Sequence, residues 1–213
     1  MYSVLNHSRF EFGSIIRHPE QLLLLIGTPI AVLILLQEQI HIFQLALAIC
    51  IMSSNFTSIA INTAFARRYG TLKYLAVSPV GKSGIWIAQF LVGLASLIIQ
   101  LPILLIGTRI LDKSFETSAL TLFAIPILIA FNSSLAFLFS TIMSAEKVLA
   151  FANVFFIAVA GTGVYFSGKP FSQFHPVAGI VEDGIAGITY LLLYTFLTAI
   201  IFFINVKRFR WID

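Results

Sequence analysis

The chain has 213 residues, of which 59% are hydrophobic and 10% charged, with a net charge of +4 and a mean hydropathy of +0.98. Soluble domains carry about 25% charged residues, so the composition excludes one and points to a membrane protein. The basic excess does not indicate a nucleic-acid partner, because the lysines and arginines sit between apolar blocks rather than on one face. A single cysteine, Cys50, allows neither an intramolecular disulfide nor a cysteine metal site.

Residues 1–20 come first and do not read as a cleavable signal, since they are mixed and amphipathic rather than basic and then apolar. At 100° per residue, Met1, Val4, Leu5, Phe12, Ile15 and Ile16 fall on one arc, with Asn6, His7, Ser14 and Arg17 opposite and Phe10 as an exception. Such a helix lies in the headgroup plane or packs on a partner subunit. Six apolar blocks follow, at 21–36, 42–65, 85–107, 120–142, 148–168 and 185–206. About 20 residues cross a bilayer as a helix, so the first block is short and the others suffice. Pro29, Pro102 and Pro126 lie within or near the ends of blocks, where each removes a backbone donor and favours a kink.

Ten of the 13 lysines and arginines (Arg9, Arg17, Arg67, Arg68, Lys73, Lys82, Lys147, Lys207, Arg208 and Arg210) share one side if the N-terminus is inside. Arg109, Lys113 and Lys169 fall on the other. The positive-inside bias therefore places both termini in the cytoplasm. Trp86 and Trp211 stand where interface anchors belong. Residues 169–184, with Pro170, His175, Pro176, Glu182 and Asp183, are too polar to span and read as an external re-entrant or interfacial helix pair. The expected fold is an all-α membrane protein of six spans in one domain.

No Asp, Glu, Lys, Arg or His lies in the middle of a block. Intramembrane charges mark ion paths, proton relays and voltage sensors, so uphill transport by this chain must draw its energy from elsewhere. Intramembrane acid–base or metal catalysis lacks its residues as well. Gly81-Lys82-Ser83 imitates the tail of a phosphate-binding loop, but Ala76 stands where the first glycine is required, and the residues before it read as helix rather than strand. Uncharged polar residues do cluster. Ser54, Ser58 and Asn62 are spaced i, i+4, i+8, with Asn55 and Thr57 beside them; Gln89, Ser96 and Gln100 mark the third block, Asn132, Ser133 and Ser134 the fourth, and Asn153 the fifth. Small and polar residues of this kind serve helix packing or line a substrate path. Both readings stay open for Ser54, Asn55, Ser58, Asn62, Gln89, Asn132, Asn153 and Phe156.

The loop at 66–82 carries a short helix candidate, in which Leu72, Leu75 and Ala76 form an i, i+3, i+4 stripe closed by Pro79. A short basic amphipathic helix between spans suits docking into a groove of another protein. The stretch resembles the corresponding loop of ABC-2 type exporter permeases, which often reads R-x-x-G-T-L-x-x-L-x-x-[ST]-P: Arg67, Gly70, Thr71, Leu72, Leu75, Ser78 and Pro79 match, while Tyr69 stands where an acidic residue is common. The amphipathic N-terminal helix, the span count and the His175-Pro176 pair are also similar to that family. The resemblance implies a permease subunit that dimerises, as a homodimer of this chain, in the cytoplasmic (inner) membrane, and binds a separate ABC ATPase. That subunit would hold ATP and Mg, with no cofactor in this chain. The loop, including Arg68 and Lys73, would be the coupling helix seated in the ATPase, and the N-terminal helix a second contact. Uncharged, phenylalanine-rich spans (Phe151, Phe155, Phe156, Phe166) suit a hydrophobic or amphiphilic cargo such as a drug, lipid or lipid-linked glycan. A non-transporting scaffold or a passive lipid scramblase is the alternative.

Overall fold

The computed structural model describes residues 2–77, 80–111, 113 and 118–208. These residues form helices and turns, with no strand among them. In chain order they are α1 (Tyr2–Arg17), α2 (Pro19–Leu35), α3 (Ile42–Cys50), a π-helical turn (Ile51–Asn55), α4 (Phe56–Arg68), α5 (Thr71–Val77), α6 (Gly81–Ile110), α7 (Ala119–Ile142), α8 (Ala145–Phe166), two 3₁₀ turns (Ser172–Phe174 and Ala178–Val181) and α9 (Gly184–Arg208).

Five helical stretches are long and apolar enough to cross a bilayer: Ile42–Arg68, Ser83–Ile110, Ala119–Ile142, Glu146–Phe166 and Gly184–Lys207. The sixth expected span differs. The helix α2 has 17 residues, about 25 Å at 1.5 Å per residue, short of the roughly 30 Å of hydrocarbon. It reaches a sixth crossing only as one limb of a pair with α1, bent by 84°. The bend sits at His18-Pro19, where the extended His18 (ψ 104°) is the conformation that a following proline imposes.

The same bend lays α1 across the bundle, against α6 and α2. Its expected apolar arc is split. Phe12 and Ile15 join Leu25 and Val92 in a small core, whereas Leu5 and Ile16 stay exposed together with Phe10. The inward face instead takes in Ser8, His7 and Glu11, with His7 Nε2 lying 3.7 Å from Glu11 Oε1. His7 thus lies with the inward residues rather than opposite them, beside Glu11, whose carboxylate accepts a hydrogen bond from Asn62 of α4.

At the centre stands the composite helix Ile42–Arg68, with 94% of its most apolar window buried, against 18% for α8 and 17% for α9 at the periphery. Ile42, Leu45, Leu47 and Ile51 pack with Leu104, Leu128, Ile129 and Tyr190. A second core gathers Phe56, Ile59 and Ala60 around Ala136, Val148 and Ala152. By its helix lengths and hydropathy the chain is a multi-pass membrane protein. One end of the bundle holds α5, the α7–α8 turn and most of the basic residues; the other holds the 3₁₀ turns.

Candidate functional site

The α4–α5 turn owes its shape to glycine. Gly70 has φ +74° and Gly81 φ +65°, a region in which a side chain costs roughly 1 kcal/mol or more. The short α5 is thereby set off as a separate turn between α4 and α6. Leu75 packs inward with Ile85, Phe137 and Val80. Tyr69, Tyr74 and Val77 face outward, 73%, 77% and 76% exposed, and Thr71 is exposed beside them. The preceding element is helical, so Gly81-Lys82-Ser83 opens α6 and builds no phosphate loop.

Arg67 and Arg68 divide their roles. The Arg67 guanidinium turns back into the chain and donates to the carbonyls of Thr141 and Met143, at the C-terminus of α7, where a cation also meets the negative end of the helix. Arg68 Nη1 reaches Glu146 Oε1 at 2.6 Å, an exposed ion pair across the same α7–α8 turn. Both arginines therefore fasten the loop to the bundle, leaving Thr71, Tyr74 and Val77 as its outward surface. Ser78 and Pro79 lie outside the described residues, as do the side chains of Leu72 and Lys73.

Among the described residues, the buried polar span residues are held in separate helix-to-helix contacts. Asn132 is buried at the bundle centre and its Nδ2 donates to the Ile51 carbonyl at 2.7 Å. That carbonyl begins the π-helical turn, where the widened ring breaks the regular i→i+4 ladder. Gln100 acts in the same way: its Nε2 donates to the Leu25 carbonyl at 3.3 Å, the oxygen that Pro29, four residues on and lacking an N–H, leaves without its helical donor. The Gln100 amide thus repairs a gap in the backbone of a neighbouring helix, as a low-dielectric interior demands, and the Asn132 amide ties α7 to the start of the π turn.

Near the basic end, Gln21 Nε2 donates to Asn62 Oδ1 at 3.4 Å, and Gln89 Nε2 donates to Thr63 Oγ1. Ser58 is buried one turn above Asn62. These residues bind α1, α2, α4 and α6 together. Asn153 is apart from them, exposed on α8 beside Val154 and Ile157. Phe156 is half-buried against the main core, and Phe151 and Phe155 pack around Phe56, the latter at 4.8 Å between centroids. Ser54 and Asn55 have side chains outside the described residues, while their backbone closes the π turn. Among the described residues, two open apolar furrows lie on the outer surface. One of about 390 Å³ is lined by residues such as Ile30, Leu33 and Ile106, and one of about 430 Å³ by Trp86, Phe90, Ala130 and Phe202.

Further side chains pin the helices to one another through backbone and hydroxyl partners. Asn205 Nδ2 donates to the Ser134 carbonyl at 2.9 Å, and Trp86 Nε1 donates to Ser134 Oγ at 2.8 Å. At the opposite end, Tyr190 and Tyr194, one turn apart on α9, donate to the carbonyls of Pro176 and Phe174 at 2.9 and 3.0 Å. An i, i+4 pair of tyrosines in an apolar helix is the signal that could have shown this, because each hydroxyl needs a partner when buried.

His175 closes the same end. Its Nδ1 accepts from the backbone N–H of Val177 and Ala178 at 3.1 and 3.2 Å, so the ring proton sits on Nε2 and is donated to Thr162 Oγ1 of α8 at 2.9 Å. Burial holds the imidazole below its usual pKa of 6.5. The docked ring is thus the neutral one, and its contribution is complete above about pH 6.5 and lost as the pH falls from there through the lowered value. We expect amide exchange at Val177 and Ala178, corrected for its intrinsic rate, to accelerate between about pH 7 and 5. His175→Asn, which accepts the same bonds without titrating, should show no such step; an identical step in both proteins would remove His175 as its cause.

Compared with the known protein families, with curated proteins and with solved structures, the chain matches none of them. What its own geometry establishes is a multi-pass helical membrane protein with a glycine-bracketed helix projecting from its basic end.

Proposed function

We propose that the chain is the membrane subunit of an ATP-driven exporter of the ABC-2 type, working as a homodimer in the cytoplasmic membrane with both termini inside. The observation that carries this reading is the outward face of α5. Tyr74 and Val77 on α5, with Tyr69 in the turn before it, are largely exposed at the end of the bundle where basic residues collect, and Arg67 and Arg68 brace the loop from behind. Exposed aromatics on a braced, projecting helix suit insertion into a groove of a second protein.

The ATPase subunit supplies ATP and Mg, and this chain supplies none of the hydrolytic chemistry. Closure of two ATPase subunits moves α5, and through Arg67 it moves the α7–α8 turn and the peripheral α8. Asn153, exposed among apolar residues on α8, supports a second copy of the chain against this helix, since an amide facing hydrocarbon has no hydrogen-bond partner there. The cargo is hydrophobic or amphiphilic, a drug, lipid or lipid-linked glycan, carried between protomers rather than through one.

The test uses a cysteine at position 74 in a Cys50→Ala background. In native membranes it should cross-link to a subunit that hydrolyses ATP and co-purifies with the chain. Purification as a chain that moves or organises lipid with no ATP-hydrolysing subunit attached would leave the scaffold or scramblase reading in its place.

A further inference from the structure

The turn-rich cap between α8 and α9 carries an exposed cluster of rings that its own packing does not use. Phe171 is 72% and Phe174 53% exposed, and their rings stack at 6.2 Å. Tyr165 and Phe166, at the end of α8, are exposed beside them. Lys169 sits among these rings with its Nζ 3.2 Å from the Tyr165 centroid, and among the described residues it forms no salt bridge.

The rings cannot fold inward. Phe171 is held in the left-handed region at φ +72°, unusual for a residue with a side chain. The turn around it is closed by Ser172 N–H on the Lys169 carbonyl at 3.1 Å and Phe174 N–H on the Phe171 carbonyl at 3.0 Å. Beneath it, Tyr194 holds the Phe174 carbonyl, His175 is tied to Thr162, and Ser172 donates to Glu182. The cap therefore presents outward a stacked phenylalanine pair and an ammonium that forms no salt bridge among the described residues.

We infer that this cap is a membrane-interface wedge: Phe171 and Phe174 enter the phospholipid leaflet at this end of the bundle, and Lys169 meets a lipid phosphate. Two observations select lipid as the occupant. The patch continues the exposed aromatic end of α8 (Tyr165, Phe166), a helix long and apolar enough to cross a bilayer. Aromatic rings with one lysine are also the side chains that settle at the headgroup level, the rings in the upper hydrocarbon and the ammonium snorkelling to phosphate. The inference is independent of the exporter reading, since it concerns how the cap sits in a leaflet and needs no ATPase.

The experiment places tryptophan at position 171 (Phe171→Trp) in the full-length chain, reconstituted in phosphatidylcholine–phosphatidylglycerol vesicles, with the parent chain's own fluorescence subtracted. The added signal should be quenched by lipids brominated near the headgroup end of their chains and protected from aqueous iodide. Phe174→Trp should behave alike, so a local misfold at one site does not decide the result. Quenching by iodide without quenching by bromolipid puts the rings in water, and protection from both puts them under a second copy of the chain or another protein. Either outcome overturns the inference.

Discussion

Replacing Asn132 by leucine is expected to destabilise the bundle by about 1–3 kcal/mol, the cost of leaving a buried acceptor without its donor. Leucine keeps the branched shape of asparagine but is bulkier, so at this fully buried position some overpacking adds to the loss. What disappears is the Nδ2 donor to the Ile51 carbonyl, at a turn whose π geometry breaks the regular ladder, at the most buried level of the fold. Aspartate at the same position should be worse, because it removes the donor and adds a charge at membrane depth. Thermal unfolding in mild detergent measures both. Gln100 offers a cleaner check by a double-mutant cycle. Gln100→Leu should be costly with Pro29 present and less so in Pro29→Ala, where residue 29 regains an N–H for the Leu25 carbonyl. If Asn132→Leu keeps full stability while lowering transport, the amide serves a path and the repair account fails.

The span positions were legible in the sequence because a bilayer imposes one dominant constraint, an apolar run of fixed length. All six apolar blocks appear as helices within a few residues of their expected ends, and five of them are long and apolar enough to cross a bilayer on their own. The facing of those helices was not legible, since lipid and protein interior are about equally apolar and periodicity therefore carries little contrast. That is why Phe151 and Phe155, whose apolar character suits a hydrophobic cargo, turn out to pack on Phe56, and why Asn132 and Asn153, alike on paper, lie at the centre and on the outside. The π turn at Ile51–Asn55 is visible only in hindsight, in a Ser-Ser-Asn run of residue types that favour local backbone hydrogen bonds over a regular helix. Arg67 shows the limit most clearly. A motif match places it in the loop, but only three-dimensional packing shows its guanidinium turned onto the carbonyls of Thr141 and Met143.

That inward turn decides which loop variants can test coupling to an ATPase. Arg67→Ala removes two charge-assisted bonds, each worth roughly 1.5–3 kcal/mol, and so weakens the bundle along with any partner contact. Tyr74→Asp does not share this ambiguity, because the ring is 77% exposed and surface changes usually stay within about 0.5 kcal/mol. Under the exporter reading, Tyr74→Asp should leave thermal unfolding unchanged. It should also weaken ATPase binding by about 30-fold, the roughly 2 kcal/mol typical of a truncated aromatic anchor, and reduce export at least in proportion. Gly70→Pro should uncouple more completely. Its φ of +74° is out of reach for proline, fixed near −65°, and the Gly70 N–H that donates to the Arg67 carbonyl at 3.0 Å is lost, so α5 can no longer leave α4 at the same angle. ATP hydrolysis by the isolated ATPase subunit should be unaffected by either variant, while cargo-dependent export falls. Normal export by Tyr74→Asp, with folding intact, would mean that the outward face of α5 touches no engine, and the loop would then have to be explained by the membrane surface alone.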